Sequence, residues 1–159
     1  MVDGAYDPSV KFPEHETVSG YTGFLLRKVS AASFQAFAEI VGEYGLHPMH
    51  FGMLMIIDAD EPVSQQELSA RTGIDPSTMV ARMDTLSEHG LVERARSADD
   101  RRIYEIRLSP AGRKLLAELR VKARKHGERF YAPLSSDERA QLHALLAKLA
   151  AGLDEAERD

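Results

Sequence analysis

Cysteine is absent from all 159 residues, which removes disulfides, thiolate metal sites and thiol-based peroxide sensing together. Long apolar runs are missing too. The best, Phe51 to Ile57, is far short of the roughly 20 residues that a membrane-spanning helix needs. The amino terminus, Met1-Val2-Asp3-Gly4-Ala5-Tyr6-Asp7-Pro8, is acidic and lacks the basic-then-apolar form of a signal peptide, so a cytoplasmic location is expected. There is neither a glycine-rich phosphate loop nor a G-x-S-x-G elbow. The scattered serines, histidines and acids are better explained as caps and helix faces than as a catalytic constellation. Neither an enzyme nor a cofactor is expected. An excess of positive charge is also lacking: the formal net charge is −5. That is the main objection to any nucleic-acid-binding reading, and only the distribution of charge can answer it.

What is present is an ordered series of signals between Ser64 and Gly112. Ser64-Gln65-Gln66-Glu67 fits a capping box, with Ser64 and Glu67 each satisfying the other's amide. The helix begun there buries Leu68 and stops at Thr72-Gly73, where glycine suits the left-handed conformation of a helix end. Asp75 then caps a second helix, with Pro76 at its first position, running to about His89. Met79, Met83 and Leu86 share one face of it, with Val80 beside them, and are expected to pack on the core. Ser77, Thr78, Ala81, Arg82 and Thr85 share the opposite face. Small residues there permit close approach to a DNA groove, hydroxyls can serve phosphates or bases, and arginine matches the two acceptors of guanine. For this helix alone, an ordinary solvated face explains the same residues.

The elements that follow favour the DNA reading. After Gly90, Leu91–Arg96 and Ile103–Leu108 have the composition and alternation of strands. Arg101 and Arg102 stand at the tip of the short polar loop between them, beside Asp100. Two arginines at such a tip can enter a narrow minor groove, and the aspartate is best understood as orienting one of them. Helix, turn, helix and basic hairpin together make a winged helix-turn-helix. The expected fold is mainly α with a small β-hairpin wing.

At this point the residues resemble a known family. Ser77-Thr78-Met79-Val80-Ala81-Arg82-Met83-Asp84-Thr85-Leu86, Gly90-Leu91-Val92-Glu93-Arg94, Asp100-Arg101-Arg102 and Leu108-Ser109-Pro110-Ala111-Gly112 follow one another as in the MarR family of bacterial transcriptional regulators. The likeness extends to Gly45-Leu46-His47-Pro48 and to Leu134-Ser135-Ser136-Asp137-Glu138-Arg139, covering about residues 20–153. Ser109 stands where the family usually has threonine, which keeps the capping hydroxyl. The resemblance implies an obligate homodimer that binds a pseudo-palindromic operator in double-stranded DNA, usually as a repressor released by a small ligand. The family branch that senses oxidants through cysteine is excluded by composition.

The flanking segments fit that organisation. Residues 1–18 fall outside the pattern, and residues 19–159 are expected to form one domain. Its reading head spans about 63–108, with long dimerisation helices at about 19–44 and 109–156. Tyr21, Phe24, Leu25, Val29, Ala32, Phe37, Ile40, Val41 and Tyr44 lie along one stripe of the first helix. Leu142, Leu145, Leu146, Leu149 and Leu153 form another on the last, behind a Ser135–Glu138 capping box. A monomeric helical domain that buries both stripes is the plainer alternative. Arg113, Lys114, Arg120, Lys122, Arg124 and Lys125 make the helix after the wing basic, which supplies the local positive field that the net charge does not.

The resemblance places an effector between the dimer helices and the reading head. Tyr21, Arg27, His47 and His50 are therefore the candidate contacts for a small organic molecule, aromatic or anionic. Three of them also have a plainer role: Arg27 as a surface charge, His47 as a cap, His50 as a partly buried histidine with a backbone partner. Zinc at His47 and His50 would need two more ligands, and nothing in the spacing nominates His126 or Glu43, so no metal is expected. A winged-helix protein-interaction module that does not read DNA is the alternative from another class.

Overall fold

The computed structural model describes residues 20–97 and 104–156. It divides into two units between Ala123 and Arg124. The elements run in the order α1 (Thr22–Gly42), α2 (Pro48–Asp60), β1 (Val63–Ser64), α3 (Gln65–Thr72), α4 (Pro76–Glu88), β2 (Val92–Arg96), β3 (Tyr104–Leu108), α5 (Pro110–Phe130) and α6 (Ser136–Ala156). Helix α5 crosses the division between the units.

Local chemistry accounts for most of these boundaries. The expected box at α3 forms, with Glu67 N–H donating to Ser64 Oγ at 3.1 Å and Ser64 N–H donating to Glu67 Oε2 at 2.7 Å. Gly73 ends α3 at φ 66°, a left-handed conformation that a side chain disfavours. The Ser135–Glu138 box forms in the same way before α6. Ser109 has two tasks: its hydroxyl donates to Gly90 O at 2.6 Å and accepts from Gly112 N–H at 2.9 Å. One side chain thereby starts α5 and ties it to the end of α4.

The sheet has the order β1-β3-β2, all antiparallel, with Val92 opposite Leu108 and Arg96 opposite Tyr104. Strand β1, two residues long and paired with Ile106 and Glu105, was not expected; it is too short to show an alternation. Met53, Leu54, Ile57, Val63, Leu68, Met79, Met83, Leu86, Ile106, Leu108, Leu116 and Leu119 form one core under α4 and the sheet. Glu61 fastens the far end of β3: its carboxylate accepts from Leu108 N–H at 2.8 Å and from Arg113 Nη2 at 2.5 Å. Burial alone would raise this carboxyl's pKa, but the Leu108 amide and Arg113 outweigh it and hold the group below its usual range.

Two expectations need correction. Val80 does not join the core; it is 47% exposed, because it lies about 100° around the helix from Met79 while Met83 and Leu86 stay near that residue's azimuth. The stripe on α1 splits: Val41 is buried and Phe37 and Tyr44 pack on the core, whereas Tyr21, Phe24, Leu25 and Val29 are exposed. Helix α2 buries His50, Met53, Leu54 and Ile57 but leaves Met55 exposed. In the second unit, Leu145, Leu146, Leu149 and Leu153 of α6 are exposed. No helix among the described residues is long and apolar enough to cross a membrane.

Candidate nucleic-acid interface

Helix α4 is fixed from both ends. Asp75 accepts from the amides of Ser77 at 3.1 Å and Thr78 at 3.0 Å, and from the Ser77 hydroxyl at 2.5 Å. The hydroxyls of Ser77 and Thr78, with their amides, hold the Asp75 carboxyl far below the usual carboxylate range. It is therefore a permanent anion at the helix start, where the macrodipole favours one. At the other end His89, the C-cap, directs Nδ1 to Thr85 O at 2.8 Å.

Between these ends, Val80 apart, the two faces separate. Met79, Met83 and Leu86 are buried. Ser77, Thr78 and Ala81 are exposed, and Arg82 and Thr85 are half-buried. The hydroxyls are not idle: Ser77 donates to Asp75, and Thr85 Oγ1 donates to Ala81 O at 3.1 Å. Each oxygen keeps lone pairs for a base amino group, and donating to a phosphate would require breaking the internal bond.

The wing strands connect to this helix through charge. Arg94 on β2 donates to Asp84 on α4 at 3.0 Å. That pairing neutralises an acid which would otherwise repel phosphate from the flank of the reading face. Beyond it, Arg96 lies 4.8 Å above the ring of Tyr104, and Arg107 pairs with Glu105 at 3.5 Å. Asp100, Arg101 and Arg102 lie outside the described residues.

Of the six cations expected to give helix α5 a free positive field, four are paired. Arg113 pairs with Glu61 and, at 3.7 Å, with Asp58. Arg120 pairs with Asp58 at 3.0 Å and Lys122 with Glu43 at 2.6 Å; within the second unit, Arg124 reaches Glu128 at 4.0 Å. Sequence shows the cations of one helix but not the acids that other elements bring against them. These cations fasten α5 to α1 and α2 instead of facing outward.

The effector candidates divide into two groups. His47 and His50 make a reciprocal cap at the start of α2: His47 N–H donates to His50 Nδ1 at 3.0 Å, and Met49 N–H to His47 Nδ1 at 3.2 Å. Phe34 of α1 packs edge-on against His47 at 5.6 Å, and Phe37 against Phe51 at 5.3 Å. Tyr21, the N-cap of α1, is 64% exposed, and Arg27 is exposed with a partner of its own. Tyr21 stands thirteen residues before Phe34, about 20 Å along a helix, so one chain does not bring it to the two histidines.

His50 is the unusual member. It is 2% exposed, and among the described residues its Nε2 has no hydrogen-bond partner. Burial first, then the positive charge of Arg82, then His47 and His89, lower its pKa to about 4. His47 is lowered for the first two of those reasons. His89 is the residue that the sequence did not nominate. It lies seven positions after Arg82, two turns along the same side of α4. A Cβ on Gly45 would come 3.0 Å from its Nε2, so the end of the recognition helix abuts the turn that leads into His47. Among the described residues, no group of three or more His, Cys, Asp or Glu side chains converges as a metal site.

Comparison with known proteins agrees with this geometry. A sequence model of the MarR family matches residues 44–103. The putative transcriptional regulatory protein for the hcr operon of Thauera aromatica is 35% identical over 136 residues, 85% of this chain and 82% of that protein. The solved structure of the transcriptional repressor CouR bound to a 23-mer DNA duplex superposes with a TM-score of 0.78 at 32% identity, covering 89% of this chain and 98% of that one. A MarR-family regulator from Rhodococcus sp. RHA1 superposes with a TM-score of 0.76 at 26% identity, over 86% of this chain and 96% of that one.

Proposed function

This chain belongs to the MarR family of transcriptional regulators, and we propose that it works as a homodimeric repressor whose hold on an operator is weakened by a small organic anion. The observation that carries the DNA reading is the exposed, small-residue face of α4 at Ser77, Thr78 and Ala81, with Arg82 and Thr85 at its edge. It lies over a core that fixes the helix through Met79, Met83 and Leu86. Such a face fits a major groove, and the hydroxyl lone pairs left free there suit the amino groups of adenine or cytosine. Arg101 and Arg102 would serve the adjacent minor groove, with Asp100 orienting the loop.

Dimerisation is supported by the apolar surface that each unit leaves uncovered: Tyr21, Phe24, Leu25, Leu26 and Val29 on α1, and Leu145, Leu146, Leu149 and Leu153 on α6. Exposed apolar stripes of that extent mark interaction surfaces. A two-fold pair of reading heads would place α4 and its copy on successive turns of one DNA face. The effector reading rests on His47 and His50 beside Phe34, Phe37 and Phe51, a mixed polar and aromatic lining at the root of the reading head.

Mobility shift with the DNA upstream of the protein's own gene tests the reading. Retardation at moderate salt that survives excess unrelated duplex is the expected result. A protein that retards no duplex, or all duplexes alike, would leave the winged helix as a protein-interaction module.

A further inference from the structure

Val80 is an exposed, branched apolar residue midway along α4, outside the core that its neighbours Met79 and Met83 join. A β-branched side chain is a poorer helix former than alanine, because it loses freedom against the preceding turn. Neither burial nor helix propensity therefore explains it. Its azimuth shows what it borders. At 3.6 residues per turn, Val80 lies about 60° from Ser77 and about 40° from Asp84, and Ala81 lies midway between Val80 and Arg82. The Val80 side of the helix faces β2, because Asp84 there accepts from Arg94 at 3.0 Å. The reading face is thus bounded by a cation, Arg82, at one edge and by an apolar residue, Val80, at the other.

We propose that Val80 reads the C5-methyl group of a thymine and so sets a preference for T·A at one position in each half of the operator. This rests on the regulator reading above and adds to it a specificity-determining residue and the group it selects. With α4 in the major groove and the wing in the neighbouring minor groove, the sugar-phosphate backbone between the two grooves passes between α4 and the hairpin. The edge of α4 that faces β2 therefore meets the wall of the major groove, not its middle. The thymine methyl points towards that wall, and it is the only methyl group that the four bases present in the groove. Valine cannot hydrogen-bond an amino group, an N7 or a phosphate; removing apolar surface from water is the one favourable contact open to it. The Arg94–Asp84 pair beside it neutralises the acid that would hold the backbone off this edge. A lone exposed valine elsewhere on the surface would call for no account. This one adjoins Ser77 and Ala81, both exposed on the face that DNA would cover.

Deoxyuridine pairs as thymine does and lacks only the methyl, so it isolates this contact. Thymines in the shortest upstream duplex that the parent retards are replaced one at a time, symmetrically in both halves. At one position per half, the replacement should weaken the parent by about threefold or more, the scale of one buried methyl. Val80→Ala should bind the unmodified duplex more weakly by a similar factor. It should also lose its response to deoxyuridine at that position alone, because both changes remove the same contact. Val80→Ile, which keeps a branched apolar side chain, should keep the response. Both variants should melt like the parent, since the side chain is exposed, so lost binding cannot be assigned to lost folding. A parent that binds its operator but is indifferent to deoxyuridine throughout would overturn the proposal and leave the regulator reading intact. So would a Val80→Ala protein that responds to deoxyuridine as the parent does at each position, which assigns the methyl to another side chain, Ala81 first. A parent that retards no duplex, or all duplexes alike, refutes the regulator reading and the role of Val80 together.

Discussion

At the scale of single residues, the histidine at the start of α2 carries a stability signature. The His50 pKa is lowered to about 4 by burial first, then by Arg82, His47 and His89, which face it from α4, from its own helix and from the end of α4. An unfolded chain binds a proton there near pH 6.5, and the folded one does not until about pH 4. The unfolded state therefore holds more protons between those values, and stability must fall as pH is lowered from about 6.5 towards 4. Thermal melts across that range should show the loss, and His50→Gln, which cannot titrate but can still cap, should flatten the pH dependence. An unchanged pH profile in that variant would assign the acid sensitivity to other groups. This depth of burial is not legible in the residues themselves: His47-x-x-His50 reads the same whether the second ring faces water or the core.

At the scale of elements, the joint between the wing and α5 has the tightest packing to test. A Cβ on Gly112 would come 2.0 Å from Leu91 O, which is backbone and cannot step aside. Gly112→Ala should therefore destabilise by about 1–3 kcal/mol or more, measured as a lower denaturant midpoint with an unchanged slope. A midpoint equal to the parent's would mean that the strand end moves freely. The link between wing and recognition helix makes a different prediction. Arg94→Ala frees Asp84, and operator affinity should drop several-fold with little change in melting temperature, because so exposed a pair stabilises the fold little. Loss of stability in proportion to loss of binding would make Arg94 structural.

These elements also show how far the sequence could be read. Capping boxes at Ser64 and Ser135, the glycine at 73 and the Asp75-Pro76 start announce themselves, because each is a local exchange between neighbours. The two faces of α4 follow from helical period alone. What was not legible depends on partners distant in sequence: the pairing of Arg113 and Arg120 with Asp58, of Lys122 with Glu43, and of strand β1 with β3. The approach of His89 to Gly45 is of the same kind. The contacts of Asp100, Arg101 and Arg102 fall outside the described residues.

At the scale of the whole molecule, the net charge of −5 and the internally paired cations of α5 leave DNA binding to a small surface. Few phosphate contacts imply a shallow dependence on salt for unrelated DNA and a preference carried by α4 itself. Two copies per operator would compensate for so small a face, and the uncovered leucines of α6 offer the surface for pairing. Light scattering should give twice the chain mass at micromolar concentration, and a chain cut after Ser135 should lose both the dimer and operator binding. A monomeric parent that still binds operator would remove dimerisation from the account. The most direct test of the central claim, that the exposed face of α4 reads DNA, is to place a carboxylate in its middle. Ala81 is exposed and helical, so Ala81→Glu should melt like the parent. Titrated against labelled operator by fluorescence anisotropy, it should show no specific binding at a salt concentration where the parent saturates. An Ala81→Glu protein that binds operator with the parent's affinity would contradict the claim.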